Sequence, residues 1–207
     1  MSKTKQNFWN ERCGQEQYAY GEAPNEYLKN KLTGLQTGKI LFPLEGEGRN
    51  AIFAATLGWN VFAFDQSSEG KKKAELLAKK NRVQIEYSIS DVENVSYTEN
   101  SFDALVLVYA HFPLDERKQY HQKLAALLKK GGKLIIEGFS KNHIEKQQQN
   151  PNAGGPKEIT MLYDLEKLKS EFNNFDFIEG YETDTDLDEG LYHVGRASVI
   201  RSLAIKK

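Results

Sequence analysis

The 207-residue sequence contains a single cysteine, Cys13. An intramolecular disulfide is therefore impossible, and a metal site built on cysteines is disfavoured, so no metal is expected. An excess of charge of one sign is also missing. Lys and Arg number 28 against 29 Asp and Glu, for a net charge of −1, so no global field draws the chain to nucleic acid or to an anionic membrane. No apolar run approaches the ~20 residues that span a bilayer. The opening MSKTKQNFWNER has basic residues but lacks the apolar core of a secretory signal. A single cytoplasmic domain over residues 1–207, monomeric or homodimeric, is the expectation.

Within that frame, Lys39 to Ser67 carries the most information (KILFPLEGEGRNAIFAATLGWNVFAFDQS). It predicts a strand through Ile40–Phe42, a glycine turn, an amphipathic helix stopped by Gly58, and a second strand ending at Asp65. The spacing Gly46-x-Gly48-x-x-Ala51 fits the turn of a nucleotide-binding βαβ unit. On this reading Gly46 permits the tight turn, Gly48 lets the backbone approach a ligand, and Asp65 accepts from a ribose diol. A pyrophosphate on the helix N-terminus would be repelled by Glu45 and Glu47. The cationic amino group and sulfonium of S-adenosylmethionine (SAM) would not be, and SAM is the cofactor expected.

Ahead of this unit, residues 7–32 are unusually aromatic and predict two short helices, Phe8–Gln17 and Pro24–Leu32, as a cap over residues 1–35. Trp9, Arg12, Tyr18 and Tyr20 carry polar handles that suit closure over a cationic ligand; simple coverage of the sheet is the alternative. After Asp65 the pattern predicts a helix over Ser68–Lys80 with Lys71–Lys73, Lys79 and Lys80 on a solvated face. A third strand is predicted over Arg82–Tyr87, with Asp91 and Val92 beyond it, placed for an adenine edge or, alternatively, with Asp91 as a turn acid.

Phe102–Ala110 reads as a strand covered on both sides. It delivers Tyr109 and His111 to the ligand end of the sheet, where a core histidine bonded to a backbone carbonyl is the competing account of His111. His121 and His143 lie in predicted helices with no partner evident and read as surface residues. A helix over Asp115–Lys130, stopped by Gly131-Gly132, is followed by a fifth strand, Lys133–Phe139. The polar stretch 140–158 reads as a flap or an inert loop. A helix over Tyr163–Phe172 and two strands, Asp176–Thr185 and Arg196–Ile205, complete a doubly wound, Rossmann-like α/β sheet of seven strands, mostly parallel with an antiparallel C-terminal hairpin.

With LEGEGRNA, FDQS, YAHFP, LKKGGKLIIEGF and LDEGLYHVGRASV joined to the N-terminal FWNERCGQEQYAYGEAPNEYL, the whole chain resembles the class I SAM-dependent methyltransferases. More narrowly it resembles the small bacterial group near the tellurite-resistance and thiopurine S-methyltransferases. It departs from the family's usual acidic first strand and glycine-cysteine-glycine turn, since Phe42, Leu44 and Glu45 stand there. Glu45 is then the candidate for the methionine amino group. The resemblance implies Asp65 and Gln66 at the ribose, Asp91 and Val92 at the adenine, and Tyr109 beside the methionine. Trp9, Arg12, Tyr20, Asn50 and Ser67 complete the cofactor-binding candidates. It also implies an acceptor pocket roofed by the cap and flap, with Tyr192, His193 and Arg196 contributing.

Because the cofactor carries its own leaving group, alignment of a small-molecule acceptor is the protein's main task. No acid–base cluster is evident in the sequence, which favours a soft nucleophile: sulfide, a small thiol or a chalcogen oxyanion. Tyr20, His111 and His193 are the catalytic candidates, with His111 foremost. The rivals are a small-metabolite O- or N-methyltransferase and a SAM-binding sensor or non-catalytic binding module. His111-Phe112-Pro113 does not match the proline-rich strand end of nucleic-acid amino-methyltransferases. Tyr163-x-x-x-Lys167 matches a short-chain dehydrogenase pair without its serine partner. Asp184-x-Asp186-x-Asp188 fails as a calcium loop because Glu189 follows where glycine is required.

Overall fold

A computed structural model describes residues 3–207, with side chains from Gln6 onward. Seven strands form one sheet: β1 (Lys39–Pro43), β2 (Asn60–Asp65), β3 (Glu86–Ile89), β4 (Phe102–Val108), β5 (Leu128–Phe139), β6 (Phe175–Glu189) and β7 (His193–Lys206). Their order is β3-β2-β1-β4-β5-β7-β6. β1 to β5 pair in parallel, while β7 is antiparallel to both β5 and β6. The seven helices are α1 (Lys3–Cys13), α2 (Glu26–Leu32), α3 (Arg49–Thr56), α4 (Ser68–Asn81), α5 (Leu114–Leu127), α6 (His143–Gln149) and α7 (Leu165–Glu171). Among the described residues, no helix is long and apolar enough to cross a membrane.

The apolar strands are buried on both faces, as parallel sheets require. One core packs Leu105, Leu107, Leu134 and Ile136 against α5 and α7. The other packs Ile40, Phe42, Val106 and Ile135 against α2, α3 and α4. Reversal of strand order beside β1 opens the C-terminal edge of β1 and β4, where ligands sit in open α/β sheets. Both strands end there in a non-glycine residue with positive φ, Leu44 at 54° and Tyr109 at 52°, a strained conformation that costs on the order of 1–3 kcal/mol.

Several boundaries differ from the sequence reading. β3 begins at Glu86 rather than Arg82, because Arg82 adopts the left-handed conformation that closes α4, and the Val83 amide still bonds back to Ala78. Gly131-Gly132 does not stop a helix. α5 ends at Leu127, and the glycines lie in the first, irregular part of β5, where the register against β4 shifts. β6 and β7 are longer than expected. Since Val199 pairs with Phe139 at the end of β5, the paired segments 184–189 and 193–198 continue past the sheet's C-terminal edge.

That overhang meets the N-terminal segment. The Leu191 amide donates to the Ala19 carbonyl at 2.8 Å. The stretch 140–158 is built rather than loop-like, with α6 and a 3-10 turn, Pro151–Ala153. Asn150 Nδ2 donates to the Val194 carbonyl at 2.8 Å, and Ala153 is fully buried.

His121 and His143 are both fully enclosed, contrary to the surface reading. His121 Nδ1 bonds Glu171 at 2.8 Å while Arg117 forks onto the same carboxylate. His143 stacks on Phe139, accepts at Nδ1 from the Ser198 amide, and donates from Nε2 to Gly154. Their partners lie 11 to 55 residues away in sequence, so no local pattern announced them. Tyr163, half of the dehydrogenase-like pair, is buried with its hydroxyl donating to the Ala110 carbonyl.

Candidate active site

The glycine turn divides its work between ligand space and packing. A Cβ on Gly46 (φ +62°) would meet nothing within 4 Å, whereas one on Gly48 (φ +89°) would sit 2.6 Å from that of Ala74. Gly48 thus serves close packing of α3 on α4, not the approach of a ligand. As the N-cap of α3 it also has no side chain to offer. Glu45 takes over that function. Its Oε1 accepts from the Asn50 and Ala51 amides at 2.9 and 2.7 Å, filling the orphan donors of the first turn. Oε2 has no hydrogen-bond partner among the described residues. Burial pushes the Glu45 carboxyl up to about 8, against the pull of these amides and of Arg49.

Asp65, at the tip of β2, accepts from the Ser67 amide at 2.8 Å and the Gly46 amide at 3.2 Å. Burial raises its carboxyl to about 6, and it forms no ion pair among the described residues. The same holds for Glu45, and once ionised by an incoming cation the two carboxylates offer acceptors only. Such a pair suits a ligand that brings hydroxyl and ammonium donors and opposes one that brings phosphate. A SAM-like ligand, with ribose diol at Asp65 and amino group at Glu45, fits these residues.

Several other cofactor candidates also hold the surrounding structure together. Ser67 caps α4, its Oγ accepting from the Gly70 amide and donating to Asn10. The Asn50 side chain accepts from the Asn25 amide at 2.9 Å, and Glu47 accepts from the Ala19 amide and Lys73. The Gln66 carbonyl accepts from Gln6, which seats α1 across this strand end. Asp91 accepts from both the amide and side chain of Asn94, the turn-acid geometry, and the Val92 side chain is buried in the core.

On the acceptor side, the Tyr20, Tyr109 and Phe139 rings lie 4.5, 4.4 and 5.2 Å from the His193 ring. His193 Nδ1 lies 3.1 Å from Glu189 Oε2, which also accepts from Arg49 at 2.9 Å. With Nδ1–H donating to the carboxylate, Nε2 keeps its lone pair, and it makes no hydrogen bond among the described residues. Burial holds His193 below the ordinary imidazole range despite Glu189. The cation and His193 together hold Glu189 down at about 2 against its own burial.

Behind this pair, Asn25 Nδ2 donates to Glu137 Oε1 at 2.7 Å and Glu189 Oε1 at 3.2 Å. Glu137 also accepts from the Tyr109 hydroxyl at 2.9 Å and from Arg201. Glu189, Asn25, Glu137 and Arg49 were missed in the sequence. The available signal was Glu137, a charge inside the otherwise apolar run LIIEGF.

His111 is the main correction. Its Nε2 accepts from the Phe139 amide at 3.1 Å, so Nδ1–H donates to the Met161 carbonyl at 3.0 Å. Both nitrogens are spent on backbone, and burial drives the imidazole down to about 3. Neither nitrogen is free to take a proton from an acceptor. Arg196 is a second correction, since it is exposed on the hairpin and pairs with Asp184 and Asp186. Tyr192 does join the roof, its hydroxyl accepting from Gln15 at 2.8 Å and its ring lying 4.1 Å from the Arg12 guanidinium.

Residues 45–136 match the methyltransferase domain family. No curated protein matches the sequence. The chain superposes over its full length on a structure from work on the conversion of a disulfide bond into a thioacetal group during echinomycin biosynthesis. There the TM-score is 0.79 at 18% identity, with 92% of that chain covered. TehB from Haemophilus influenzae matches 98% of this chain and 67% of its own at TM-score 0.72 and 16% identity. A SAM-dependent methyltransferase from Anabaena variabilis matches 98% and 93% at TM-score 0.70 and 15% identity. At these identities the likeness is one of fold. Residues 45–136 are thus similar to a methyltransferase domain and the chain has the fold of the SAM-dependent methyltransferases, for which S-adenosylmethionine is the implied methyl donor.

Proposed function

We propose that this chain is a SAM-dependent methyltransferase that methylates a small molecule at sulfur, with His193 as the base that takes the acceptor's proton and Glu189 as the carboxylate that orients it. The observation that carries the reading is the hydrogen bond from His193 Nδ1 to Glu189, which leaves Nε2 unpartnered among three aromatic rings. When bound, S-adenosylmethionine supplies an electrophilic methyl carbon and its own leaving group. The chain's residues then hold the ligands, align them and remove one proton.

The choice of acceptor atom follows from basicity. A buried imidazole held below its ordinary range is neutral at pH 7 but a mild base. A thiol with a pKa of ~8.5 lies within its reach, whereas each further unit of mismatch costs about 1.36 kcal/mol. A simple alcohol is therefore a poor acceptor. The acid–base pair removes the argument that a soft nucleophile is favoured because no base is present; the weakness of the base now favours it. The Tyr20 and Tyr109 rings both pack on the buried His193 ring. The sulfur chemistry named for one fold neighbour points the same way. Narrower kinship with tellurite-resistance and thiopurine enzymes is part of this proposal, and TehB among the fold neighbours supports it.

Release of S-adenosylhomocysteine across sulfide, an alkyl thiol, an aryl thiol, tellurite, a phenol and an amine tests the proposal. Turnover concentrated on sulfur acceptors is expected. SAM binding without turnover would identify a binding module, and turnover confined to the amine or phenol would overturn sulfur as the acceptor atom.

A further inference from the structure

Arg12 occupies an unusual place in the roof of the site. Its guanidinium lies 4.1 Å from the centre of the Tyr192 ring, 4.8 Å from that of Phe8 and 5.9 Å from that of Trp9. Among the described residues its one hydrogen bond runs from Nη1 to the Tyr20 hydroxyl at 3.1 Å. No carboxylate pairs with it among the described residues, although the chain carries 29 acidic side chains. The other arginines that line the site have partners, Arg49 with Glu189 and Arg201 with Glu137.

A guanidinium has five donors in a planar fork that matches a carboxylate. Here four of the five are unspent among the described residues, and the surrounding rings partly cover the guanidinium without neutralising its charge. Tyr20 joins this cation to the base, since its hydroxyl meets Arg12 while its ring lies 4.5 Å from that of His193. An acceptor with its sulfur at His193 and an anionic end one tyrosine ring away would engage both.

We propose that Arg12 is a carboxylate-binding subsite for the methyl acceptor, so that the molecule methylated is an anionic thiol. This rests on His193 being the base of a methyl-transfer site. Capture of the cofactor's own carboxylate by Arg12 uses the same chemistry, and the experiment separates the two.

The test compares 4-mercaptobenzoate with the isosteric 4-mercaptobenzamide in the wild type and in Arg12→Gln, with SAM affinity measured by calorimetry. The wild type is expected to prefer the carboxylate by about tenfold or more in kcat/KM, mainly through KM. Arg12→Gln should bring the ratio close to one, and Arg12→Lys should restore only part of it. Inhibition of the wild type by benzoate but not benzamide would support the subsite without any variant. A ratio that Arg12→Gln leaves unchanged, or a wild type with no preference, would overturn it. Loss of SAM affinity with the acceptor ratio intact would assign the carboxylate to the cofactor and also overturn it. Absence of turnover on every thiol would instead strike the methyl-transfer reading on which it rests.

Discussion

Glu189 and His193 face each other across the last pair of the β6–β7 hairpin, with Nδ1 of the imidazole 3.1 Å from Oε2 of the carboxylate. The carboxylate fixes the tautomer that leaves Nε2 basic and favours the imidazolium that forms on proton uptake. Glu189→Gln should lower kcat by at least tenfold. It should also move the acidic limb of the kcat/KM profile to lower pH, because His193 loses the partner that favours its charged form. A pH–rate profile reads both effects, and a limb that stays in place would detach Glu189 from the base.

Asn25 spends every polar atom on this region. It caps α2 by accepting from Leu28, donates its amide to Asn50, and donates Nδ2 to Glu137 and Glu189. Asn25→Asp keeps the capping oxygen but sets a third acid against two others, where like charges disfavour ionisation. The acidic limb of its activity profile should shift to higher pH, opposite to that of Glu189→Gln. Identical shifts in the two variants would contradict the relay.

Glu45 links stability to the cofactor. Its carboxyl holds a proton more tightly in the folded state (about 8) than at its ordinary value of 4.5. The folded chain therefore binds the extra proton, and this group's contribution falls as pH rises from about 4.5 to 8. Glu45→Gln preserves an oxygen to cap α3 and removes the buried charge. The ligand-free variant should melt at or above the wild-type temperature at pH 8, yet bind SAM about tenfold more weakly. Unchanged SAM affinity would reduce Glu45 to a helix cap.

His111 gives the reverse linkage. Its folded value, about 3, lies below its ordinary 6.5, so its contribution is present above pH 6.5 and is lost as pH falls toward 3. His111→Ala should destabilise the fold by about 1–3 kcal/mol, because the Phe139 amide and Met161 carbonyl lose their partner. Denaturant unfolding measures that loss. The acidic limb of the activity profile should remain where it is in the wild type.

The two turn glycines should part company as well. Gly48→Ala places a methyl group against Ala74 at positive φ and should cost more than 2 kcal/mol by thermal unfolding. Gly46→Ala meets open space. Its stability cost should be near 1 kcal/mol, with SAM affinity taking the larger loss.

The strand–turn–helix periodicity of residues 39–67 made the first βαβ unit readable, and the apolar run 102–108 did the same for β4. Helix and strand ends shifted where a connection held hydrogen bonds of its own, as at Arg82, or where glycines entered a strand irregularity, as at Gly131. The placement of candidate residues was readable where it depends on a turn and a strand end, at Gly46, Asp65 and Tyr109. It was unreadable where it depends on pairing across the chain. Glu189 lies inside the acidic run ETDTDLDE, which reads as solvated surface until the overhanging hairpin turns its last member inward. His111 was placed at the right strand end, but its hydrogen bonds run to backbone 28 and 50 residues away. Only the folded chain shows them to be already made.

The most direct test of His193 as the base uses aryl thiols of graded acidity, some ionised at the assay pH and some not, with wild type and His193→Gln. Acceptors that arrive ionised need no base. The variant is therefore expected to lose about 10²-fold or more in kcat/KM on the least acidic thiols and progressively less as acidity rises. A loss of equal size across the series would show that His193 only shapes the pocket, and the account would fall.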